Sequence, residues 1–214
     1  MKNIFLGVVS LSCLIMINNS AFALSETKKS DGTVKLVEYY DYECPHCRRM
    51  NSVIDALKME YPNLEVTYRV TPLLTLASRS IANIALSEKY QSRNAWIQFH
   101  HDLMQFNNTP TVFDAWHIAS ELGAKPSALS NMMKSQKVQN QINKNIKRVN
   151  RYAVNGGIYL PIFIFSGQSQ LNEKSQSIVL IGEQPRTLLS AIIQQLSDQY
   201  VQVVKNKNYA GGGK

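Results

Sequence analysis

The chain has 214 residues, 23 Lys and Arg against 15 Asp and Glu, a formal net charge of +8, and three cysteines. That length suits one domain with a sizeable core, or one domain carrying a large insertion. The basic excess comes with no aromatic-interleaved basic cluster and no nucleic-acid motif, so it reads as a solvated surface and no nucleic-acid partner is expected.

Residues 1–23 carry one basic residue, Lys2, then an apolar run from Ile4 to Ile17, and close on Ala21, Phe22 and Ala23. This is the three-part pattern of a secretory signal peptide, with a small-residue cleavage site before Leu24. Cys13 would leave with it. A lipoprotein signal fits less well, because Ser10 stands where such signals prefer an aliphatic residue and the apolar run continues past Cys13. No other stretch is apolar for long enough to cross a membrane, so the mature chain is expected to be soluble and exported, without stable membrane insertion. Two cysteines remain, Cys44 and Cys47. In an oxidising compartment a lone CxxC argues against a disulfide-braced scaffold and for a working disulfide. Residues 24–33, short and polar, read as a tether.

The β-branched and aromatic run from Val34 to Tyr40 predicts a buried strand, and the chain then reaches Cys44-Pro45-His46-Cys47. Pro45 suits the first position of a helix, where a missing N–H costs nothing, so Cys44 is expected to cap that helix. Unpaired backbone N–H groups and the positive end of the helix dipole favour a thiolate there, and His46 adds a possible positive charge beside it. Cys47 falls one turn later and is expected to face inward, which makes an attacking sulfur and a resolving one. Half of a zinc site or a plain staple are the alternatives. Zinc would need further ligands, yet no cysteine follows Cys47, and His100, His101 and His117 lack paired metal-ligand spacing. A staple closing so short a loop would restrict the unfolded chain little.

The segment from Glu38 to Cys47, EYYDYECPHC, resembles the active-site segment of the DsbA group of thioredoxin-fold proteins, whose signature is CPHC. The resemblance implies an α/β, thioredoxin-like fold with an inserted helical domain, spanning residues 34–202 here. It also implies thiol-disulfide exchange in the periplasm, carried by Cys44 and Cys47 with Pro45 and His46 between them. In the family an acidic residue six positions before the first cysteine lies beneath the disulfide and helps move protons, and Glu38 holds that place. Burial that raised its pKa would let Glu38 accept a proton from a sulfur. A strand-edge glutamate facing water is the plainer alternative.

The first helix is expected to end near Tyr61 and Pro62. Leu64, Val66, Tyr68 and Val70 then alternate with Glu65, Thr67 and Arg69, a strand that completes a right-handed parallel β-α-β unit. Residues 76–155 change to helical spacing, first through Ile81, Ile84 and Ala85, then through Trp96, Phe99, Leu103 and Phe106. Thr111 and Asp114 resemble a capping box, and Gly123 fits the position just past that helix. Val138, Ile142, Ile146, Val149 and Ala153 form a further apolar stripe beside Lys137, Lys144, Lys147, Arg148 and Arg151. Such a helix could meet a membrane or an acidic partner, but the stripe is narrow and aliphatic and reads as a core face. The three histidines of this block read as surface or cap residues. In position and size the block resembles the helical domain of the DsbA group.

Asn155, Gly156 and Gly157 read as a helix stop, and the apolar run 158–165 has Pro161 at the entrance to a strand. In thioredoxin-like proteins the peptide before such a proline is cis and its loop faces the cysteines, which the resemblance carries to Leu160 and Pro161. Leu160 departs from the Thr or Val more usual in the family. A trans proline opening an edge strand is the alternative. Residues 166–177 read as a polar connection, Ile178 to Ile181 as the partner strand of a hairpin, and Pro185 as the opening of a last helix with Leu188, Leu189, Ile192, Ile193 and Leu196 on one face. Residues 203–214 read as a flexible tail.

The expected function is that of an exported thiol-disulfide oxidoreductase. It would need no metal and no cofactor beyond the Cys44-Cys47 disulfide. Its expected partners are reduced or unfolded exported proteins and, by the resemblance, a quinone-linked membrane reoxidant of the DsbB type. A disulfide isomerase or reductase of the same fold is one alternative. Periplasmic isomerases dimerise through an added N-terminal segment, for which the roughly ten residues between the cleavage site and the first strand are too few. A Cu(I)-handling protein using Cys44, Cys47 and His46 is another, and it would bind metal tightly without oxidising thiols.

Overall fold

The computed structural model describes residues 32–168 and 175–197, so the expected signal peptide, nearly all of the tether and the tail from 203 lie outside the described residues. Val34–Tyr40 forms β1 and Leu64–Val70 forms β2, parallel to it and reached through helix α1 (Pro45–Glu60). Ile162–Gln168 forms β3, antiparallel to β1, and Ser175–Ile181 forms β4, antiparallel to β3, which gives the sheet order β2-β1-β3-β4. β1 is thus an inner strand whose last residues deliver the chain to the cysteines.

Both hairpin strands are longer than the apolar pattern suggests: β3 runs on through Ser166 and Gly167, and β4 begins at Ser175. The ladder is made by backbone groups, so polar side chains at the open end of the sheet do not interrupt it.

Between β2 and β3 lie α2 (Leu76–Gln91), α3 (Arg93–Met104), α4 (Val112–Glu121), α5 (Pro126–Met133) and α6 (Gln136–Val149), followed by a single 3₁₀ turn at Asn150–Tyr152. Thr75, Ser92, Thr111 and Ser135 cap four of these helices by accepting from a backbone N–H of the first turn, and Asp114 completes the capping box with Thr111. Gly123 takes φ 89 just past α4, where a Cβ would be strained. Phe106 falls beyond the end of α3, and Ala153 lies past α6 and is exposed, so the stripe of α6 closes at Val149. Asn155 and Gly156, at φ 49 and 79, make a tight turn between the paired Val154 and Gly157 rather than a helix stop.

After β4, Pro185 caps α7 (Arg186–Leu196). Leu189, Ile192, Ile193 and Leu196 of α7 are buried, whereas Leu188 is 40% exposed and is not part of the buried face.

Period-two alternation sends β1 and β3 side chains into two separate cores. Leu36, Phe163 and Phe165 pack with α7 and with Met50, Ile54 and Leu57 of α1. Tyr39 and Ile162 pack with the helical block, in a cluster that also holds Cys44 and Cys47. Each fully buried side chain of this size contributes about 1.5–3 kcal/mol. Helix α1 therefore joins both cores, with its reactive end in one and its body in the other.

Candidate active site

β1 ends at Tyr40, and a turn organised by Asp41 sets the entry to α1. The Asp41 carbonyl accepts from Cys44 N–H at 3.1 Å, and its carboxylate Oδ1 accepts from Glu43 N–H at 3.1 Å. Cys44 is the N-cap of α1, with φ −75 and ψ 114, and Pro45 follows in the first turn. Cys47 N–H donates to Cys44 Sγ at 3.4 Å, and the Cys44 thiol points to the Leu160 carbonyl at 3.8 Å. Both cysteines are present as thiols; Cys44 is 4% exposed and Cys47 is fully buried.

The two sulfurs are driven apart electrostatically. Hydrogen bonding from Cys47 is the largest influence that holds Cys44 down to about 7 from its ordinary 9.0, against the opposing effect of burial. Backbone N–H groups of Cys47 and His46 add to it, and the charge of His46 contributes least. Burial, then the neighbouring Cys44, pushes Cys47 well above the ordinary thiol value. Near neutral pH, Cys44 is the available thiolate and Cys47 stays protonated.

The His46 side chain is 55% exposed. Its Nδ1 lies 3.0 Å from Glu183 Oε2 and 2.8 Å from Arg49 Nη2, and Arg49 Nε also donates to Glu183. These bonds tie the first turns of α1 to the connection after β4. Glu183, bonded to both side chains, is held down to about 2 from 4.5, first by the Arg49 hydrogen bond and then by that of His46.

Glu38 sits in the middle of β1, fully buried, and both its carboxylate oxygens lack a hydrogen-bond partner. Desolvation, followed by repulsion from Asp55 and Cys44, raises it from 4.5 to about 8. A carboxyl group tuned to that range can accept and release a proton near neutrality.

The Leu160-Pro161 peptide is cis, Leu160 is buried, and Gly182 N–H donates to the Pro161 carbonyl at 2.8 Å. Leu73 and Leu74 on one side and Ile158, Tyr159 and Leu160 on the other enclose a largely apolar groove of about 490 Å³, with Cys44 and Pro45 in its lining. Glu38, Cys44, Pro45, His46, Cys47, Leu160 and Pro161 thus come together at one end of the sheet.

Several contributors escaped the sequence reading. Asp41, 1% exposed, accepts from Leu73 N–H at 2.9 Å, from Leu74 N–H at 3.3 Å and from the Ser78 hydroxyl at 2.9 Å, so one buried carboxylate fixes a wall of the groove. Its Asx-turn with Glu43, two residues on, is a local signal that could have revealed it. Glu183 and Arg49 gave no such signal, because their pairing spans the fold. His100 is buried, not a surface residue: its Nδ1 lies 3.2 Å from the Tyr42 hydroxyl, its ring stacks on Trp96, and burial lowers it to about 3 from 6.5, so it is neutral. His101 and His117 are exposed. Among the described residues no group of three or more His, Cys, Asp or Glu could hold a metal ion, and no helix is long and apolar enough to cross a membrane.

A family model described as Thioredoxin matches residues 29–176. The chain belongs to the thioredoxin family. Comparison with curated protein sequences gives no match. Among solved structures it is similar to a thioredoxin-like oxidoreductase from Silicibacter pomeroyi, at 25% identity and TM-score 0.64, over 76% of this chain and 86% of that one. It shares its fold with the thiol-disulfide exchange protein alpha-DsbA2 from Wolbachia pipientis, at 21% identity and TM-score 0.64, over 78% and 83%. A periplasmic thioredoxin-like protein from Salmonella enterica serovar Typhimurium aligns at 22% identity and TM-score 0.61, over 77% and 85%. This thioredoxin-family chain has the architecture of the DsbA-type members, and it is an enzyme of the thiol-disulfide oxidoreductase class.

Proposed function

We propose that the protein is an exported, periplasmic oxidase that introduces disulfides into other exported proteins. The carrying observation is the asymmetry of the pair. A capping Cys44 with a pKa of about 7 faces an open apolar groove, while Cys47 behind it is buried and protonated. Stabilising the Cys44 thiolate stabilises the reduced enzyme relative to its disulfide, and so makes the disulfide a stronger oxidant.

In the forward reaction a substrate thiolate attacks Cys44 Sγ of the disulfide. A substrate–Cys44 bond forms, and the Cys44–Cys47 bond breaks with its electron pair going to Cys47. A second substrate thiolate then attacks the mixed disulfide at the substrate sulfur, which leaves the substrate oxidised by two electrons and Cys44 as thiolate. Glu38 is the nearby acid that supplies a proton to Cys47 in the first step and takes one back on reoxidation. The disulfide serves as the only cofactor, and a quinone-linked membrane partner of the DsbB type restores it. Export rests on the signal-peptide pattern of residues 1–23, and the periplasmic Salmonella relative is in keeping with it.

The test is the glutathione equilibrium of the Cys44-Cys47 pair, combined with oxidative refolding of a reduced, unfolded protein. An oxidase is expected to hold a potential well above that of thioredoxin, about −270 mV, and to transfer its disulfide stoichiometrically. A potential at or below that value, with no transfer, refutes the assignment in favour of a reductase.

A further inference from the structure

Beside α1 lies a second cleft, of about 420 Å³, between that helix and the connection from α3 to α4. Pro45 lines both, so the two depressions meet at the CPHC turn. The chemistry of the second is different. Arg48 and Arg49 both line it, and no Asp or Glu does.

Arg48 is built into this wall. Its Nη1 donates to the carbonyl oxygens of Phe106, at 2.7 Å, and Asn108, which fixes the guanidinium plane, while its Nε–H is buried with no acceptor. Asn51, only 2% exposed, also lines the cleft; its Nδ2 donates to Asp55, and its Oδ1 is left buried with no donor. Both residues thus keep one polar group unpaired beside the cleft, each at a desolvation cost. Arg49 is already engaged by Glu183, whereas Arg48 is held only by carbonyl oxygens and has no ion-pair partner among the described residues, which leaves its charge available to an anion.

We propose that this cleft is a second substrate subsite, which takes a carboxylate side chain flanking the substrate cysteine against the Arg48 guanidinium. The inference rests on the thiol-exchange reading of Cys44. From Cys44 to Arg48 the helix advances about 6 Å, at roughly 1.5 Å per residue, which an extended peptide covers in about two residues. The substrate class is therefore a cysteine with Asp or Glu two residues away, apolar on its other flank where Leu73, Leu74 and Tyr159 line the groove.

The test uses the full-length oxidised protein and three peptides that differ in one residue, with Glu, Gln or Lys two positions from a single cysteine, placed on either flank in turn. The readout is the second-order rate constant for attack on the Cys44-Cys47 disulfide. On one flank, Glu is expected to exceed Lys by roughly three- to tenfold, the range of one charged contact at a partly exposed site, and the ratio should shrink in high salt. Arg48→Met should bring the ratio close to one. Because Arg48 also anchors the connection at Phe106, Ser52→Glu provides a second arm: it places a carboxylate in the cleft from an exposed position without removing that anchor, and should invert the preference. Equal rates for the three peptides, or a preference unchanged in both variants, overturns the subsite while leaving thiol exchange intact. Failure of all three peptides to react overturns the exchange reading itself, and the subsite with it.

Discussion

Replacing Glu38 with Gln should stabilise the reduced protein by an amount that grows with pH. Glu38 has a folded pKa of about 8 against an ordinary 4.5, and no hydrogen bond reaches either carboxylate oxygen. The folded state therefore binds a proton more tightly than the unfolded chain does. The stabilisation linked to that proton is fully present below about 4.5 and is lost as pH rises through 8. At about 1.36 kcal/mol per pH unit, the penalty for ionising this group in place amounts to about 5 kcal/mol above pH 8 and about 3 kcal/mol near pH 7. Gln cannot ionise, so the variant escapes that penalty; its own unpaired amide adds a cost that does not change with pH. Denaturant melts of both proteins, reduced and measured at intervals from pH 4.5 to 9, give the difference directly. A stability difference that is flat across that window refutes buried ionisation of Glu38. The disulfide form supplies an internal control, because repulsion from a Cys44 thiolate is one cause of the raised pKa and disappears on oxidation, so the gap should narrow.

In the reduced protein, iodoacetamide should label Cys44 first, with a rate midpoint of about 7, while Cys47 stays protected; comparable rates at the two sulfurs would remove the basis for separate roles. Cys47→Ala removes the largest support of the Cys44 thiolate, so the Cys44 midpoint should rise and mixed disulfides with substrates should accumulate. His46→Ala should move the same midpoint less, by under one unit and thus lower the potential by less than about 30 mV. A larger effect from His46 than from Cys47 would reverse the ordering read from the structure. Asn145→Ala deletes a buried 2.8 Å bond from Asn145 Nδ2 to the Val70 carbonyl, which links α6 to the end of β2. The loss should be about 1–3 kcal/mol in a urea melt, and no loss would mean that water replaces the amide.

What the sequence revealed follows the range of the interactions involved. β1, β2 and the cap at Cys44 were legible because alternation and the Cys-Pro pair are local signals. The hairpin ends at Ser166 and Ser175 were not, since polar residues hid a backbone ladder that depends only on register. His100 was misjudged for a related reason: a histidine in a helix looks like a surface residue until Tyr42 and Tyr68, from two other segments, close on it beside Trp96 of its own helix. The thiolate support assigned to His46 came from its nearness in sequence. In space its charge and backbone N–H do support Cys44, but less than Cys47 does, and its Nδ1 also meets Arg49 and Glu183, the latter a partner that no pattern in the chain announces.

The apolar groove has a further consequence. Leu73 and Leu74 stand where the chain leaves β2 for α2, and Ile158, Tyr159 and Leu160 stand where it returns from the last helical turn to β3. Both banks of the groove are thus the two joints by which the helices are spliced to the sheet. Asp41 ties the Leu73–Leu74 bank to the turn that carries Cys44, so a small tilt of the helices would change the width of this mouth first at the Ile158–Tyr159 bank. Breadth of substrate choice can therefore be tuned by substitutions under the helices, far from the sulfurs, while the thiol chemistry stays as it is.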